Sequence, residues 1–330
     1  MGRNSRRLAR TSCYAAPDVS SAGPVDLTVN IGALRLRNPI IAASGTFGYG
    51  LEFAHLIDLN TIGGFVTKGL SLNPMQGSPA PRVCHTPSGM LNAVGLQNVG
   101  VKAFVTEKLP ILRKYDTPVL VNIFGYSLED YAEVIRILDD APGIAGYELN
   151  ISCPNVKQGG IQFGSDPAMV SQVVSVAKRS AASRPLWVKL SPLVTDIGVI
   201  AKAAEEAGAD GLTVANTYPA MSIDVQARRS RLGCATGGLS GPAIRPITLR
   251  LVWQAHKAVR IPIIGLGGIE TVDDVLEYLS VGAAAVQVGT ASFVNPGAIG
   301  GLAAQLEERV TGFKLQNIKD LTEVLVPKLD

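Results

Sequence analysis

The sequence predicts an α/β chain closed as a (β/α)8 TIM barrel, with an N-terminal hairpin and long insertions after strands two and six. Three observations carry that reading. Eight short apolar runs recur along the chain, helical patterns alternate with them, and glycine or proline punctuates the junctions. Most of the runs are continuously apolar, as parallel strands covered on both faces should be. A doubly wound sheet is the runner-up, disfavoured by the count of eight. With 330 residues, 47% hydrophobic and 17% charged, the chain has apolar material for one large core, since such a barrel takes about 250 residues or more.

Taken in order, residues 1–24 read as a basic extension carrying Arg3, Arg6, Arg7 and Arg10. A disordered tail or a start-site artefact is the plain account, and an Arg-rich transit peptide the alternative. The segment lacks the apolar h-region of a secretory signal. Residues 25–330 read as a single domain. Asp26 to Asn38 is expected to form the hairpin: Leu27-Thr28-Val29, a turn at Asn30–Gly32, then Leu34-Arg35-Leu36. Barrel strands are expected at 40–44, 64–68, 118–123, 146–151, 186–190, 211–216, 261–265 and 284–289. Helices are expected near 101–114, 128–139, 167–182, 196–207, 245–258 and 271–280. The helix at 196–207 runs into Gly208, a glycine stop before the next strand.

The insertion at 70–98 carries Asn73-Pro74, Pro79, Pro81 and Pro87-Ser88-Gly89. The one at 217–244 carries Arg228, Arg229 and Arg231, then Gly237-Gly238-Leu239-Ser240-Gly241-Pro242. Long loops at the C-terminal ends of barrel strands are usually lids or ligand walls.

Composition narrows the function classes. A net charge of +3, part of it in the N-terminal arginines, leaves a near-neutral body and indicates no nucleic-acid surface. No run of 18 apolar residues occurs, so no membrane span is expected. Cysteines 13, 84, 153 and 234 and histidines 55, 85 and 256 show no disulfide or metal spacing, so no metal is expected. Such cysteine usage suits a reducing cytoplasm.

Chemistry concentrates at Gly146-Tyr-Glu-Leu-Asn-Ile-Ser-Cys-Pro-Asn155. An apolar run ends in small polar residues and Pro154, which cannot donate to a sheet ladder. Asn150, Ser152, Cys153 and Asn155 therefore cluster at a strand's C-terminal end, where α/β folds carry their sites. The thiol is able to move a proton, and the amides to read a planar polar ligand. The bland alternative is a buried cysteine before a turn. Other strand ends contribute Ser44-Gly45, Lys68-Gly69, Asn122, Lys189, Asn216-Thr217, Gly267-Gly268 and Gly289-Thr290. The last two pairs follow strands seven and eight, where barrels commonly bind phosphate through backbone N–H groups. Gly265-Leu-Gly-Gly-Ile-Glu270 fails the dinucleotide fingerprint, because Glu270 stands where the third glycine belongs. Lys68 and Lys189 end apolar strands, where a charge needs a partner; each is either an ion pair at the rim or a ligand contact. Two such lysines, the asparagines and a phosphate pocket on one rim fit flavin mononucleotide, whose reduced ring a cation stabilises.

Four segments in order, Asn92-Ala-Val-Gly-Leu-Gln-Asn98, Glu148-Leu-Asn-Ile-Ser-Cys-Pro-Asn-Val156, Val214-Ala-Asn-Thr217 and Gly238-Leu-Ser-Gly-Pro-Ala-Ile-Arg245, resemble dihydroorotate dehydrogenase. The likeness covers roughly residues 25 to 310 and is greatest to the catalytic subunit of the NAD-linked type of the first class. It implies that dihydroorotate is oxidised to orotate in pyrimidine synthesis, with Cys153 removing a proton from C5 while a hydride leaves C6 for flavin N5. It also implies that substrate lies against Lys68, Asn92, Ala93, Val94, Gly95, Leu96, Asn150, Asn155, Asn216 and Thr217. One FMN per chain is expected against Ser44, Lys68, Gly69, Asn122, Asn150, Lys189, Val214, Gly241, Gly267, Gly268, Gly289 and Thr290. A thiol of ordinary pKa is mostly protonated at neutral pH, so Cys153 needs activation by its surroundings or a moderately alkaline optimum.

The NAD-linked type further implies a partner subunit carrying FAD and a [2Fe–2S] cluster, in a heterotetramer of two catalytic and two electron-transfer chains. This chain lacks the cysteine spacing for that cluster. The fumarate-linked homodimeric type is the nearest rival. A dihydrouridine synthase would want a basic RNA-binding appendage that the sequence does not show, and a scaffold barrel would have no need of the thiol and both lysines. Cys84, His85 and Cys234 read as incidental, Arg228, Arg229 and Arg231 as a solvated loop, and Trp187 and Trp253 as packing helix against strand.

Overall fold

The computed structural model describes residues 25–152, 164–181 and 183–321. Eight parallel strands close a barrel in chain order: Ile40–Ala42, Gly64–Val66, Val119–Ile123, Gly146–Asn150, Leu186–Lys189, Gly211–Val214, Ile263–Leu266 and Ala285–Val288. Strand eight pairs with strand one, Gln287 opposite Ile41, which removes every free edge. Each strand falls on an expected run, with ends one or two residues off at most. The helices Leu128–Asp139, Pro167–Ser180, Ile197–Glu206, Arg245–Ala258 and Val272–Ser280 also fall where expected. Their starts are written locally. Ser127 with Asp130 and Thr271 with Asp274 form capping boxes, and the Asp166 and Asp196 carboxylates accept from the N–H groups of Met169 and Gly198.

Four expectations need correction. The helix at 101–114 is broken into Val101–Ala103, a π-helical turn Phe104–Lys108 and Leu109–Leu112. Pro110 has no N–H to continue the ladder, and the Leu109 N–H reaches back to the Phe104 carbonyl, one residue further than in an α-helix. The N-terminal hairpin pairs Val29–Ile31 with Leu34–Leu36 around Gly32, so its first strand lies two residues later than expected. That register puts Val29, Ile31 and Leu36 in the core and leaves Asn30 outside. The chain also has helices at Ala291–Val294 and Ala298–Gly312 beyond the six expected; the second buries Ile299, Leu302, Leu306 and Val310, spaced as one helical face.

The fourth correction is Trp187, which fills the barrel interior. Side chains alternate along a strand, so Trp187 shares the inward face with Lys189, two residues on. A Cβ on Gly146 or on Gly211, in the strands on either side, would overlap the indole. Trp253 is half-buried on its helix, with Lys257 Nζ 4.9 Å from its ring centre.

The two insertions, expected separately, build one roof. Tyr218–Ala220, Gly237–Ser240, Gly89–Asn92 and Val83–Thr86 form a four-stranded antiparallel sheet in that order, joined where Leu239 faces Leu91. A Cβ on Gly89 would run into the Ser240 carbonyl, so the two central strands meet closely only through glycine.

Candidate active site at the barrel mouth

On strands three, four, five, six and eight the inward-facing residues turn polar in the upper layer: Asn122, Glu148, Lys189, Thr213 and Gln287. In the upper layer Glu148, only 1% exposed, accepts hydrogen bonds from Asn122 Nδ2 at 2.7 Å, Thr213 Oγ1 at 2.9 Å and Gln287 Nε2 at 2.6 Å. Lys189 Nζ lies 3.7 Å from its Oε1. Lys189 therefore has the ion pair that sequence reasoning held open for it. Glu148 itself was missed, although a carboxylate inside an apolar run two residues before Asn150 is a signal of the same kind as the two lysines.

Above this layer an amide chain runs from strand four to strand six. Asn150 Oδ1 accepts from the Ser152 hydroxyl at 2.6 Å, the Ser152 hydroxyl accepts from Asn216 Nδ2, and Asn216 Oδ1 accepts from the Thr217 N–H at 2.8 Å. Tyr131 fixes the base of the chain by donating to the Asn150 carbonyl at 2.9 Å. The roof comes down on its end. Asn92 Nδ2 donates to the Gly238 carbonyl at 3.3 Å, and a Cβ on Gly238 would overlap Thr217. Expected site residues of three segments, Asn92, Asn150 and Asn216-Thr217, are thus brought together.

The loop after Asn92 is held from below. Ala93 N donates to Arg82 O, the Val94 carbonyl accepts from Ser78 N, and the Leu96 carbonyl accepts from Asn98 Nδ2. Gly95, at φ 71°, sits where a Cβ would strike Ser78. Lys68 points inward two residues beyond Val66 and is half-buried. Burial, helped by the Arg82 charge, pushes its ammonium below the ordinary lysine range, against the pull of Glu52. Among the described residues its ammonium has no hydrogen-bond partner. Gly69 lies against Asn122, where a Cβ would stand 2.7 Å from Oδ1.

The glycines after strands six to eight converge. A Cβ on Gly268 would meet the Gly241 carbonyl at 2.7 Å and Arg245 Cβ at 2.9 Å, and one on Gly241 would approach Thr290. Thr290 Oγ1 bonds Ser240 Oγ at 2.8 Å. Gly241, Gly267 and Gly268 all adopt positive φ, so bare backbone is required where these three turns meet. Beside them Gly45 has open space and Gly289 meets nothing closer than 3.5 Å. Ser44 lies just beyond strand one, and Val214, fully buried, ends strand six. The Val214–Ala215 peptide is cis.

Cys153 and Asn155 lie outside the described residues. Cys84 and His85 are neighbours on a strand and so point to opposite faces, which rules out a catalytic pair. Arg228, Arg229 and Arg231 are exposed, as a solvated loop should be. No helix among the described residues is long and apolar enough to cross a membrane.

Known proteins resemble this chain. The family model described as dihydroorotate dehydrogenase matches residues 26–310. A protein of Pelobacter propionicus named dihydroorotate dehydrogenase B (NAD(+)), catalytic subunit is 54% identical over 300 residues, 91% of this chain and 98% of the relative. One of the same name from Geobacter sulfurreducens is 53% identical over the same shares. A Solibacter usitatus protein, provisionally named dihydroorotate dehydrogenase A (fumarate), is 54% identical over 299 residues, again 91% of this chain and 98% of the relative.

Proposed function

The chain belongs to the dihydroorotate dehydrogenase family, and from that premise we propose how its barrel mouth oxidises dihydroorotate to orotate. The observation that carries the reading is the Asn150–Ser152–Asn216–Thr217 chain under the roof strand that ends in Asn92. Amides present both donors and acceptors, which is what a ring of alternating carbonyl and N–H groups requires. Asn92, Ala93, Val94, Gly95, Leu96 and Asn155 complete that wall. Lys68, whose ammonium has no described partner, meets the substrate carboxylate. Cys153, three residues beyond Asn150, accepts the C5 proton.

FMN, held by the glycine turns at Gly241, Gly267, Gly268, Gly289 and Thr290 and by Ser44, Lys68, Gly69, Asn122, Asn150, Lys189 and Val214, supplies the hydride acceptor when bound. The fit rests on bare backbone where a phosphate would approach, on Lys68 at the mouth and on Lys189 in the layer beneath it. The chain's own part is to orient the ring, meet its charge and take the proton. The relatives named as NAD(+)-type catalytic subunits support an electron-transfer partner, which we propose carries FAD and a [2Fe–2S] cluster in a heterotetramer with two copies of each chain, in the cytoplasm. The Solibacter relative favours the second reading, a fumarate-linked homodimer.

An anaerobic absorbance spectrum before and after dihydroorotate tests the proposal. A yellow protein whose flavin band bleaches supports cofactor and substrate together. A yellow protein that stays oxidised moves the substrate elsewhere, and a chain that cannot be reconstituted with FMN ends the flavin assignment. Copurification with an iron–sulfur subunit separates the NAD-linked reading from the fumarate-linked one.

A further inference from the structure

The layer below the mouth holds a charged group that the proposed chemistry does not use. Glu148 has partners on strands three, five, six and eight: Asn122, Lys189, Thr213 and Gln287. A carboxylate only accepts, so it dictates how each neighbour is turned: both amides face it with NH2, and the Thr213 hydroxyl donates. Lys189 is 5% exposed and Glu148 1%, so the pair is poorly screened by solvent.

We propose that Glu148 is a positioning residue: it holds the Lys189 ammonium under the ring site and sets how much of that positive charge a bound flavin feels. The inference rests on the FMN assignment above. Its physical content is a balance of signs. The carboxylate offsets Lys189, while the donors from Thr213, Asn122 and Gln287 withdraw part of the carboxylate's own charge. Reducing the flavin adds negative charge at the mouth. Removing the carboxylate leaves the cation uncompensated and favours the reduced flavin; removing one neutral donor makes the carboxylate more effective and disfavours it.

The test is the midpoint potential of flavin bound to the full chain, measured by anaerobic titration against a reference dye. Glu148→Gln keeps the shape and removes the charge. It should raise the ratio of reduced to oxidised flavin binding about tenfold, close to 30 mV for two electrons. Thr213→Val keeps the charge and removes a donor, and should lower the potential by a smaller step. A role in packing alone would move neither, or both in one direction, and either of those results overturns the proposal. If Glu148→Gln does not fold, Thr213→Val decides alone: a potential unchanged or raised rejects the role. A wild-type chain that takes up no FMN removes the flavin assignment and this inference with it. Variants that hold flavin at the wild-type potential remove only the role of Glu148.

Discussion

Two levels of one barrel interior, a single inward step apart, are built on opposite principles. On strands four, five and six Trp187 packs against Gly146 and Gly211, with Gly211 as its register partner; two residues further along the same strands stand Glu148, Lys189 and Thr213. The lower level solves a volume problem. One indole occupies the space, and the strands on either side give up their side chains to admit it. The upper level solves a charge problem. Buried polar groups are costly unless partnered, and the partners of Glu148 come from four strands. The difference locates stability below and chemistry above, as in barrels generally, and it makes separable predictions.

The largest expected effect is at the lower level. Trp187→Ala should cost about 3–5 kcal/mol of stability, the usual range for emptying a large aromatic site, read by denaturant unfolding. Flavin reduction by the fraction still folded should be unaltered. A variant of wild-type stability with slow reduction would erase the division between the levels. The converse is Cys153→Ser, motivated by its place three residues beyond Asn150. It should retain flavin and stability yet slow reduction by dihydroorotate roughly 10²-fold or more, about 2.7 kcal/mol in the barrier. Unchanged reduction in stopped flow would remove Cys153 from the mechanism.

What was legible in the sequence follows the same division. The eight strands could be read because parallel strands are apolar throughout, and the helix starts because capping residues such as Ser127 and Thr271 act locally. Trp187 was given the wrong side because in a barrel both faces of a strand are buried, so hydrophobicity does not say which face is inside. The roof escaped notice because Gly89–Asn92 and Gly237–Ser240 pair across 145 or more intervening residues and neither alternates strongly. At the site, Asn150, Asn216 and Thr217 were legible as polar strand ends, whereas Asn92 was legible only through the resemblance of its segment. Glu148 was not, since the need of Lys189 for a partner was clear but the strand supplying it could not be read from spacing.

A milder probe of the lower level is Gly211→Ala. The added methyl would overlap the indole, and overpacking of this kind costs about 1–3 kcal/mol. The thermal midpoint should fall while the affinity for FMN, which we propose binds at the mouth, stays at the wild-type value. A loss of FMN affinity comparable to the loss of stability would mean that the two levels are mechanically coupled through Trp187 and Lys189.

The smallest effect belongs to Lys68, at the top of the site and outside the Glu148 network. Its ammonium sits below the ordinary lysine value of 10.5, because burial and Arg82 disfavour the charged form. The charge proposed to meet the substrate carboxylate is therefore present below that lowered pKa and is lost as pH rises through it, earlier than for a free lysine. The KM for dihydroorotate should climb on the alkaline side before pH 10.5, while Lys68→Met should show a high KM without that limb. Linkage runs the other way for stability. Between the lowered pKa and the ordinary one the unfolded chain binds the extra proton, so the native state gains as pH rises there. Wild type should thus close part of any stability gap to Lys68→Met in the same window in which it loses substrate affinity. Two opposite slopes from one proton would place the titration on Lys68; parallel slopes would assign it to another group.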